Sequence, residues 1–236
     1  MNGKKPKKAP TWAVILVAAG QSKRLKSKVP KPFLPLSGKK TMLDLCLASF
    51  KRVPGLAYAI IVTQKPYMER AIQAIYRHRL AGIVTMGGKQ REDSVRRGIW
   101  VVPPGVQYVL IHDAARPLVT SALIGRVLEA TKRYGAVIPA VPVKDTLKLV
   151  VGDKVIKTLD RSRIRAVQTP QGFRYQELKK AFVKAGAKAS HMTDDAAVAE
   201  SAGLKVWLVE GDPHNFKVTT PEDLRQAQQL IGKKGK

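Results

Sequence analysis

Apolar residues recur along this chain in short unbroken runs separated by amphipathic stretches, and the first run, Trp12-Ala13-Val14-Ile15-Leu16-Val17, sets the pattern. A run of that kind with no polar interruption predicts a strand covered on both faces, as inside a parallel sheet. It ends in Ala18-Ala19-Gly20. Thr41 is then placed to cap a helix carrying Met42, Leu45, Cys46, Leu47 and Phe50. Tyr58 to Thr63 reads as a strand leading to a helix opened by Pro66, and Gly82 to Met86 as a strand reaching Gly87-Gly88 and a helix near Asp93 to Val101. Gln107 to His112 is another apolar strand, followed by Thr120 or Ser121 capping a helix with Ile124, Val127, Leu128 and Thr131 on one face. Strands alternating with helices predict an α/β domain: a mostly parallel sheet with helices on both faces.

After Ala136 to Val141 the pattern changes. From about Pro142 to Arg165 the chain is strand-like and charged, with Gly152-Asp153 set as a turn between Thr146–Val150 and Val155–Leu159. So little apolar surface predicts a protruding β-hairpin arm rather than a second domain, and an arm needs cover from elsewhere, so a homodimer is expected. A helix around Tyr175 to Ala185, another near Asp194, a strand Leu204 to Val209 and a final helix opening on Thr220-Pro221-Glu222-Asp223 complete the order. One domain is expected over residues 12–231, with disordered basic tails at 1–11 and 232–236.

Composition alters this picture in one respect. At 236 residues, 44% hydrophobic and 25% charged, the chain is an ordinary globular one, and its single cysteine, Cys46, rules out an internal disulfide and points to a reducing compartment. No apolar window approaches the roughly 18 residues of a membrane span, so a cytoplasmic protein with no membrane partner is expected. The charge is abnormal: 43 Lys and Arg against 17 Asp and Glu, net +26. That field admits non-specific polyanion binding without naming a partner. Seven of the 43 lie in the tails (Lys4, Lys5, Lys7, Lys8, Lys233, Lys234 and Lys236), and the rest are spread over the body, as on a solvated lysine-rich surface.

In a parallel sheet ligands sit beyond the carboxyl ends of the strands, so the loops after the apolar runs hold the candidate chemistry. The first, Ala18-Ala19-Gly20-Gln21-Ser22-Lys23-Arg24-Leu25 and on to Lys31, offers small residues for close approach to a triphosphate, with Arg24 and Lys31 as cations. A plain strand-to-loop turn with surface lysines is the alternative. It matches neither G-x-G-x-x-G nor G-x-x-x-x-G-K-[ST]. The second, Gly87-Gly88-Lys89-Gln90-Arg91-Glu92-Asp93-Ser94, lets a flat base approach the backbone; Ser94 bonds either ligand or its own helix start. The third, His112-Asp113-Ala114-Ala115-Arg116-Pro117, places a carboxylate where it can bind a phosphate-bridging divalent metal or, alternatively, pair internally with Arg116.

The segments AAGQSKRL, VPKPFLPLSGKK, GGKQREDSVRRGI, IHDAARPLV, PVKDTLK, TPQGF, MTDDAA and FKVTTPEDL follow one another as in the 2-C-methyl-D-erythritol 4-phosphate cytidylyltransferases, and the resemblance spans residues 12–231. It implies a Rossmann-like fold of the nucleotide-diphospho-sugar transferase kind, and transfer of CMP from CTP to 2-C-methyl-D-erythritol 4-phosphate with release of pyrophosphate on Mg²⁺. By the resemblance, Ala18, Ala19 and Gly20 cradle CTP, Arg24 and Lys31 stabilise the transition state, Gly88 and Ser94 read cytosine, and Asp113 lies near metal and nucleotide. Arg116, Thr146, Arg161, Thr169 and Thr193 fall where the family contacts the acceptor, Arg161 coming from the partner's arm, and Lys217 matches the lysine at the α-phosphate. Two positions depart from the family pattern: Ser22 replaces a glycine and Lys89 an acidic residue.

The same loops serve sister enzymes acting on ribitol 5-phosphate, which is the alternative acceptor. A basic RNA-binding protein built on a transferase scaffold is the alternative outside enzymology; it predicts salt-sensitive RNA binding and no turnover.

Overall fold

The structure, a computed structural model, describes residues 11–20, 27 and 29–234. Residues 1–10, 235 and 236 of the expected tails, and with them Ser22 and Arg24 of the first loop, lie outside the described residues. The elements are β1 (Trp12–Val17), β2 (Pro35–Ser37), β3 (Lys40–Thr41), α1 (Met42–Lys51), β4 (Leu56–Thr63), α2 (Met68–Arg77), β5 (Gly82–Met86), α3 (Arg91–Trp100), β6 (Tyr108–Asp113) and α4 (Ser121–Tyr134). They continue with β7 (Ala136–Pro142), β8 (Leu147–Val151), β9 (Lys154–Leu159), β10 (Arg165–Val167), β11 (Gln171–Arg174), α5 (Tyr175–Ala185), α6 (Asp195–Ser201), β12 (Trp207–Glu210) and α7 (Pro221–Lys234).

β1 lies between β4 and β6, parallel to both, and β5 extends the sheet beyond β4. The other half is mixed. β11 inserts antiparallel between β6 and β7, β10 pairs antiparallel with the far end of β7, and β12 runs parallel along the other edge of β7. The short antiparallel β10 and β11 and the β2–β3 hairpin are features the apolar runs do not announce, because each is too short to show a period.

The unbroken apolar character of β1 has the expected cause. Trp12, Val14 and Leu16 face a core completed by Leu43, Cys46, Leu47 and Phe50 of α1, Ala71 and Ile75 of α2, and Ile124, Val127 and Leu128 of α4. Ala13 and Ile15 face the opposite core, with Val95 and Ile99 of α3, Leu178 and Phe182 of α5, and Val198 of α6. Trp12, Phe50, Phe173 and Phe182 are fully buried, each contributing about 1.5–3 kcal/mol relative to exposure. Trp12 spends its one polar atom on the Pro54 carbonyl, 2.9 Å away. α3 sits unusually close to the sheet because Gly98 has no side chain: a Cβ there would come within 2.6 Å of Ile15 Cγ2 and 3.0 Å of Val62 Cγ2.

Helix starts follow local chemistry. Thr41 and Asp44 cap α1 reciprocally, and Thr120 rather than Ser121 caps α4 by accepting from the Leu123 amide. α3 begins at Arg91, two residues earlier than the sequence predicts, because Gln90 and Asp93 form its reciprocal cap. α7 runs to Lys234 instead of stopping at residue 231; Gly232 within it costs only about 1 kcal/mol against alanine, too little to end a helix.

The arm is present. β8 and β9 form their own two-stranded sheet, turned by Gly152 at φ 56° and Asp153. Among the described residues this sheet has no ladder to the main one. Its apolar side chains are open, with Val150 52%, Val151 70%, Val155 55% and Ile156 49% exposed, values that no core residue approaches.

Candidate active site

The loops at the carboxyl ends of β1, β4, β5 and β6 enclose a cleft of about 710 Å³. Ala19 and Gly20 line it after β1, Gln64 after β4, Gly88, Lys89 and Gln90 after β5, and Asp113 and Ala115 at the end of β6, joined by Lys31, Arg91, Ser94 and Lys217. Four of these residues are cationic (Lys31, Lys89, Arg91 and Lys217), against the single carboxylate of Asp113, so the cleft favours a polyanion.

Glycine is required where two loops meet. A Cβ on Gly87 would lie 2.4 Å from Ala19 Cβ, so only glycine lets the second loop close on the first. The Gly88 amide then donates to Ser94 Oγ at 3.1 Å, and that hydroxyl donates to the Gln90 carbonyl at 3.1 Å. Ser94 therefore braces the glycine loop from inside α3, and the helix cap belongs to Gln90. Gln64 Nε2 donates to the Ala19 carbonyl at 2.9 Å, tying the first loop to β4. The Ala18 amide is committed to the Val62 carbonyl at 2.8 Å, so of the small residues it is Ala19 and Gly20 that present themselves to the cleft.

Lys31 follows Pro30 in a short 3₁₀ turn and is nearly buried. Its Nζ donates to the carbonyls of Val218 and Thr219 at 3.1 and 3.2 Å. These carbonyls pin an ammonium to the rim of the cleft.

Asp113 is the electrostatic centre. Its Oδ1 accepts from Arg91 Nε at 3.0 Å and its Oδ2 from Lys217 Nζ at 2.5 Å. Burial pushes its carboxyl up, but Arg91 and Lys217 outweigh that and hold it below the usual carboxylate range. Internal pairing with Arg116 does not form. Arg116 turns away, Nη1 donating to the Asn215 carbonyl at 2.8 Å and Nη2 to the Val167 carbonyl at 3.5 Å.

Behind Asp113 stands a second polar layer. The Asp113 amide donates to Thr169 Oγ1 at 3.2 Å, and Thr169 Oγ1 lies 3.0 Å from His112 Nδ1. His112 Nε2 is 3.1 Å from the Arg116 carbonyl, which can only accept, so Nε2 carries the proton and the Thr169 hydroxyl donates to Nδ1. Burial lowers the His112 pKa to about 4, and the ring is a neutral strut in the physiological range. Thr169, expected at the acceptor, thus has its hydroxyl in an internal network.

Of the remaining expected residues, Thr146 and Thr193 are exposed, and Arg161, also exposed, donates through Nη1 to the Lys144 carbonyl at 2.5 Å. Together with Arg116 and Thr169 they do not line the cleft. Arg24 lies outside the described residues. The sequence assigned no role to Arg91 or Asp195. Arg91 grips the fully buried Asp195 through Nη1 at 3.2 Å and Nη2 at 2.9 Å while its Nε holds Asp113. The available signal is positional: Arg91 opens a helix, where the dipole disfavours a cation, so its presence there requires nearby carboxylates.

A family model described as 2-C-methyl-D-erythritol 4-phosphate cytidylyltransferase matches residues 12–233. The chain is 40% identical, over 93% of its length and 97% of the relative's, to the 2-C-methyl-D-erythritol 4-phosphate cytidylyltransferase of Bacillus mycoides. It is 39% identical to the bifunctional enzyme IspD/IspF of Desulfotalea psychrophila, 94% of the chain matching and spanning 57% of that longer protein. The crystal structure of a 4-diphosphocytidyl-2C-methyl-D-erythritol synthase from Anaerococcus prevotii superposes with a TM-score of 0.83 at 27% identity, covering 94% of this chain and 96% of that one.

Proposed function

Because the chain belongs to the 2-C-methyl-D-erythritol 4-phosphate cytidylyltransferase family, we propose that the cleft binds CTP and an acceptor phosphate side by side and transfers the cytidylyl group between them. The enzyme is a CTP-dependent cytidylyltransferase of isoprenoid biosynthesis. It converts CTP and 2-C-methyl-D-erythritol 4-phosphate to 4-diphosphocytidyl-2-C-methyl-D-erythritol and pyrophosphate. The observation that carries the assignment of the cleft is its charge: Arg91 and Lys217 converge on Asp113 where the strands end, and Lys31 lines the same cleft.

In this reading the triphosphate lies along Ala19 and Gly20, between Lys31 and Lys217, with Ala18 beneath and Arg24 adding a further cation. Cytosine stacks over Gly88, whose backbone Ser94 holds. An oxygen of the acceptor phosphate attacks the α-phosphorus; as the new P–O bond forms, the bond to the bridging α–β oxygen breaks and its electrons leave on pyrophosphate. A phosphate monoester is already ionised near neutral pH, so no general base is required. The neutral, doubly engaged His112 is consistent with that. Charge accumulating on the transferred group falls to the cations of the cleft, above all Lys31 and Lys217.

A divalent cation fits the donor set. Among the described residues no group of three or more His, Cys, Asp or Glu side chains could hold a metal unaided, whereas Asp113 is one anionic carboxylate facing the phosphate region. One carboxylate plus substrate phosphates is the usual setting for Mg²⁺. When bound, Mg²⁺ supplies charge neutralisation at the phosphates, with Asp113 as its protein ligand. A cytoplasmic setting agrees with the lone, buried Cys46; among the described residues no helix is long and apolar enough to cross a membrane.

Pyrophosphate release with CTP and Mg²⁺, measured against 2-C-methyl-D-erythritol 4-phosphate and ribitol 5-phosphate separately, tests the acceptor. Turnover confined to the methylerythritol substrate is expected. Preference for ribitol 5-phosphate would reassign the acceptor pocket, and salt-sensitive RNA binding with no turnover would remove the enzymatic reading.

Acceptor recognition is completed, in our reading, by Arg116 and Thr193 of one subunit, with Thr169 acting behind them through Asp113 and His112, and by Thr146 and Arg161 on the arm of a second. An isolated two-stranded hairpin is marginal in water, and the exposed Val150, Val151, Val155 and Ile156 would be covered by a second copy. Sedimentation equilibrium should therefore give a dimer, shifted towards monomer by Ile156→Lys. A parent protein that stays monomeric throughout the micromolar range would exclude the arm-mediated dimer.

A further inference from the structure

We propose that Arg91, anchored by Asp195, is a positioning residue that fixes the Asp113 carboxylate while Lys217 moves between Asp113 and the nucleotide phosphates. The inference rests on the reading of the cleft as the CTP site. Two cations share one carboxylate, but they are held differently. Arg91 is clamped by both oxygens of Asp195, a fully buried residue at the start of α6, so three of its N–H groups are spoken for by two carboxylates. Its guanidinium is delivered by the first turn of α3, and its side chain is 22% exposed. Among the described residues Lys217 bonds through its ammonium to Asp113 alone, from a side chain that is 40% exposed on the stretch leading into α7. A rigid bidentate fork and a flexible single-point ammonium divide the work: one cation stays and the other can leave.

That division answers a physical requirement. If both cations left for the incoming phosphates, Asp113 would stand uncompensated in a desolvated site beside further negative charge. If neither could leave, Lys217 would contribute nothing to the phosphates. The Asp195 clamp keeps Arg91 in place during the exchange, and Asp113 retains its orientation and its anionic state. Burial works against the Arg91 charge, and Asp195 and Asp113 outweigh it. Asp195 is itself placed by its neighbours: Asp194 caps α6 through the Ala197 amide and accepts from Gln171 Nε2, whose Oε1 accepts from the Ala196 amide. The clamp thus links α3, α6, β11 and the end of β6.

The test compares the parent enzyme with Arg91→Lys and with the paired replacement Arg91→Gln/Asp195→Asn, which removes both charges together and leaves no lone buried ion. For each, melting temperature, CTP affinity by calorimetry with and without Mg²⁺, and kcat and KM for both substrates are measured. Binding of CTP by the parent checks the cleft reading independently of the variants. The paired variant is expected to melt within a few degrees of the parent, with Mg²⁺–CTP affinity or kcat reduced about 10–100-fold and acceptor KM unchanged, the range seen when residues behind a metal ligand are removed. Arg91→Lys keeps the charge but cannot span two carboxylates, and is expected to show the same kcat loss without recovery. A folded paired variant with parental CTP affinity and kcat would overturn the proposal, as would full activity in Arg91→Lys; should the paired variant fail to fold, the lysine variant decides alone.

Discussion

Replacing Lys31 with alanine is expected to lower kcat by about 100- to 1,000-fold, the range for deleting one preorganised donor at a site of developing charge. The side chain is nearly buried, and its ammonium donates to the carbonyls of Val218 and Thr219. Carbonyl dipoles orient the group at the rim of the cleft. Those two bonds also tie the first loop to the stretch before α7. Losing them should lower stability by about 3–6 kcal/mol, at about 1.5–3 kcal/mol for each hydrogen bond to a charged group, and the melting temperature by roughly 10 °C or more. Lys31→Met, which retains the aliphatic stem, should recover part of the stability and none of the turnover. Circular dichroism and single-turnover kinetics separate the two effects; near-normal turnover in either folded variant would remove Lys31 from the chemistry.

The second large effect is expected at Asp113. Asp113→Asn preserves volume but releases Arg91 and Lys217 from their shared counterion, leaving Arg91 to Asp195 and Lys217 to solvent. The cleft then carries its cations with no carboxylate among its lining residues. Metal-free CTP is expected to bind at least as tightly as to the parent, since one negative charge facing the phosphates is gone. Turnover is nevertheless expected to fall by about 100-fold, because the protein ligand proposed for Mg²⁺ is lost. Titrations of CTP with and without Mg²⁺, set beside steady-state rates, distinguish this from simple loss of binding. If the asparagine variant kept its Mg²⁺-dependent rate to within about threefold, Asp113 would have no role at the metal.

Much of the scaffold was legible in the chain because burial on two faces leaves a run such as Trp12 to Val17 with no polar position at all. The arm was legible for the opposite reason: alternation around Gly152-Asp153 with too little apolar mass for a core. β10 and β11 were not, because three- and four-residue strands carry no readable period, and their direction depends on which strand they meet. In the cleft, the residues found from sequence were those that motif spacing exposes: Ala19, Gly20, Lys31, Gly88, Ser94, Asp113 and Lys217. What stayed hidden were pairings. Arg91 and Asp195 are 104 positions apart, and nothing in either neighbourhood names the other. Arg116 beside Asp113 invited a local ion pair, yet three-dimensional packing supplied Asp113 with more distant cations and sent Arg116 to the Asn215 carbonyl.

The bonds from Lys31 to Val218 and Thr219 join residues 187 and 188 positions apart. Bringing the ends of a flexible segment of that length together costs about 4–5 kcal/mol in chain entropy plus a constant, which consumes most or all of the roughly 3–6 kcal/mol that two such contacts return. They persist because other contacts have already closed the loop: β1 lies in register beside β6, and the Val218 amide donates to the Ala115 carbonyl just beyond that strand. The lysines of the cleft therefore owe their placement to connectivity, and the sheet bears most of the entropy of gathering their charges.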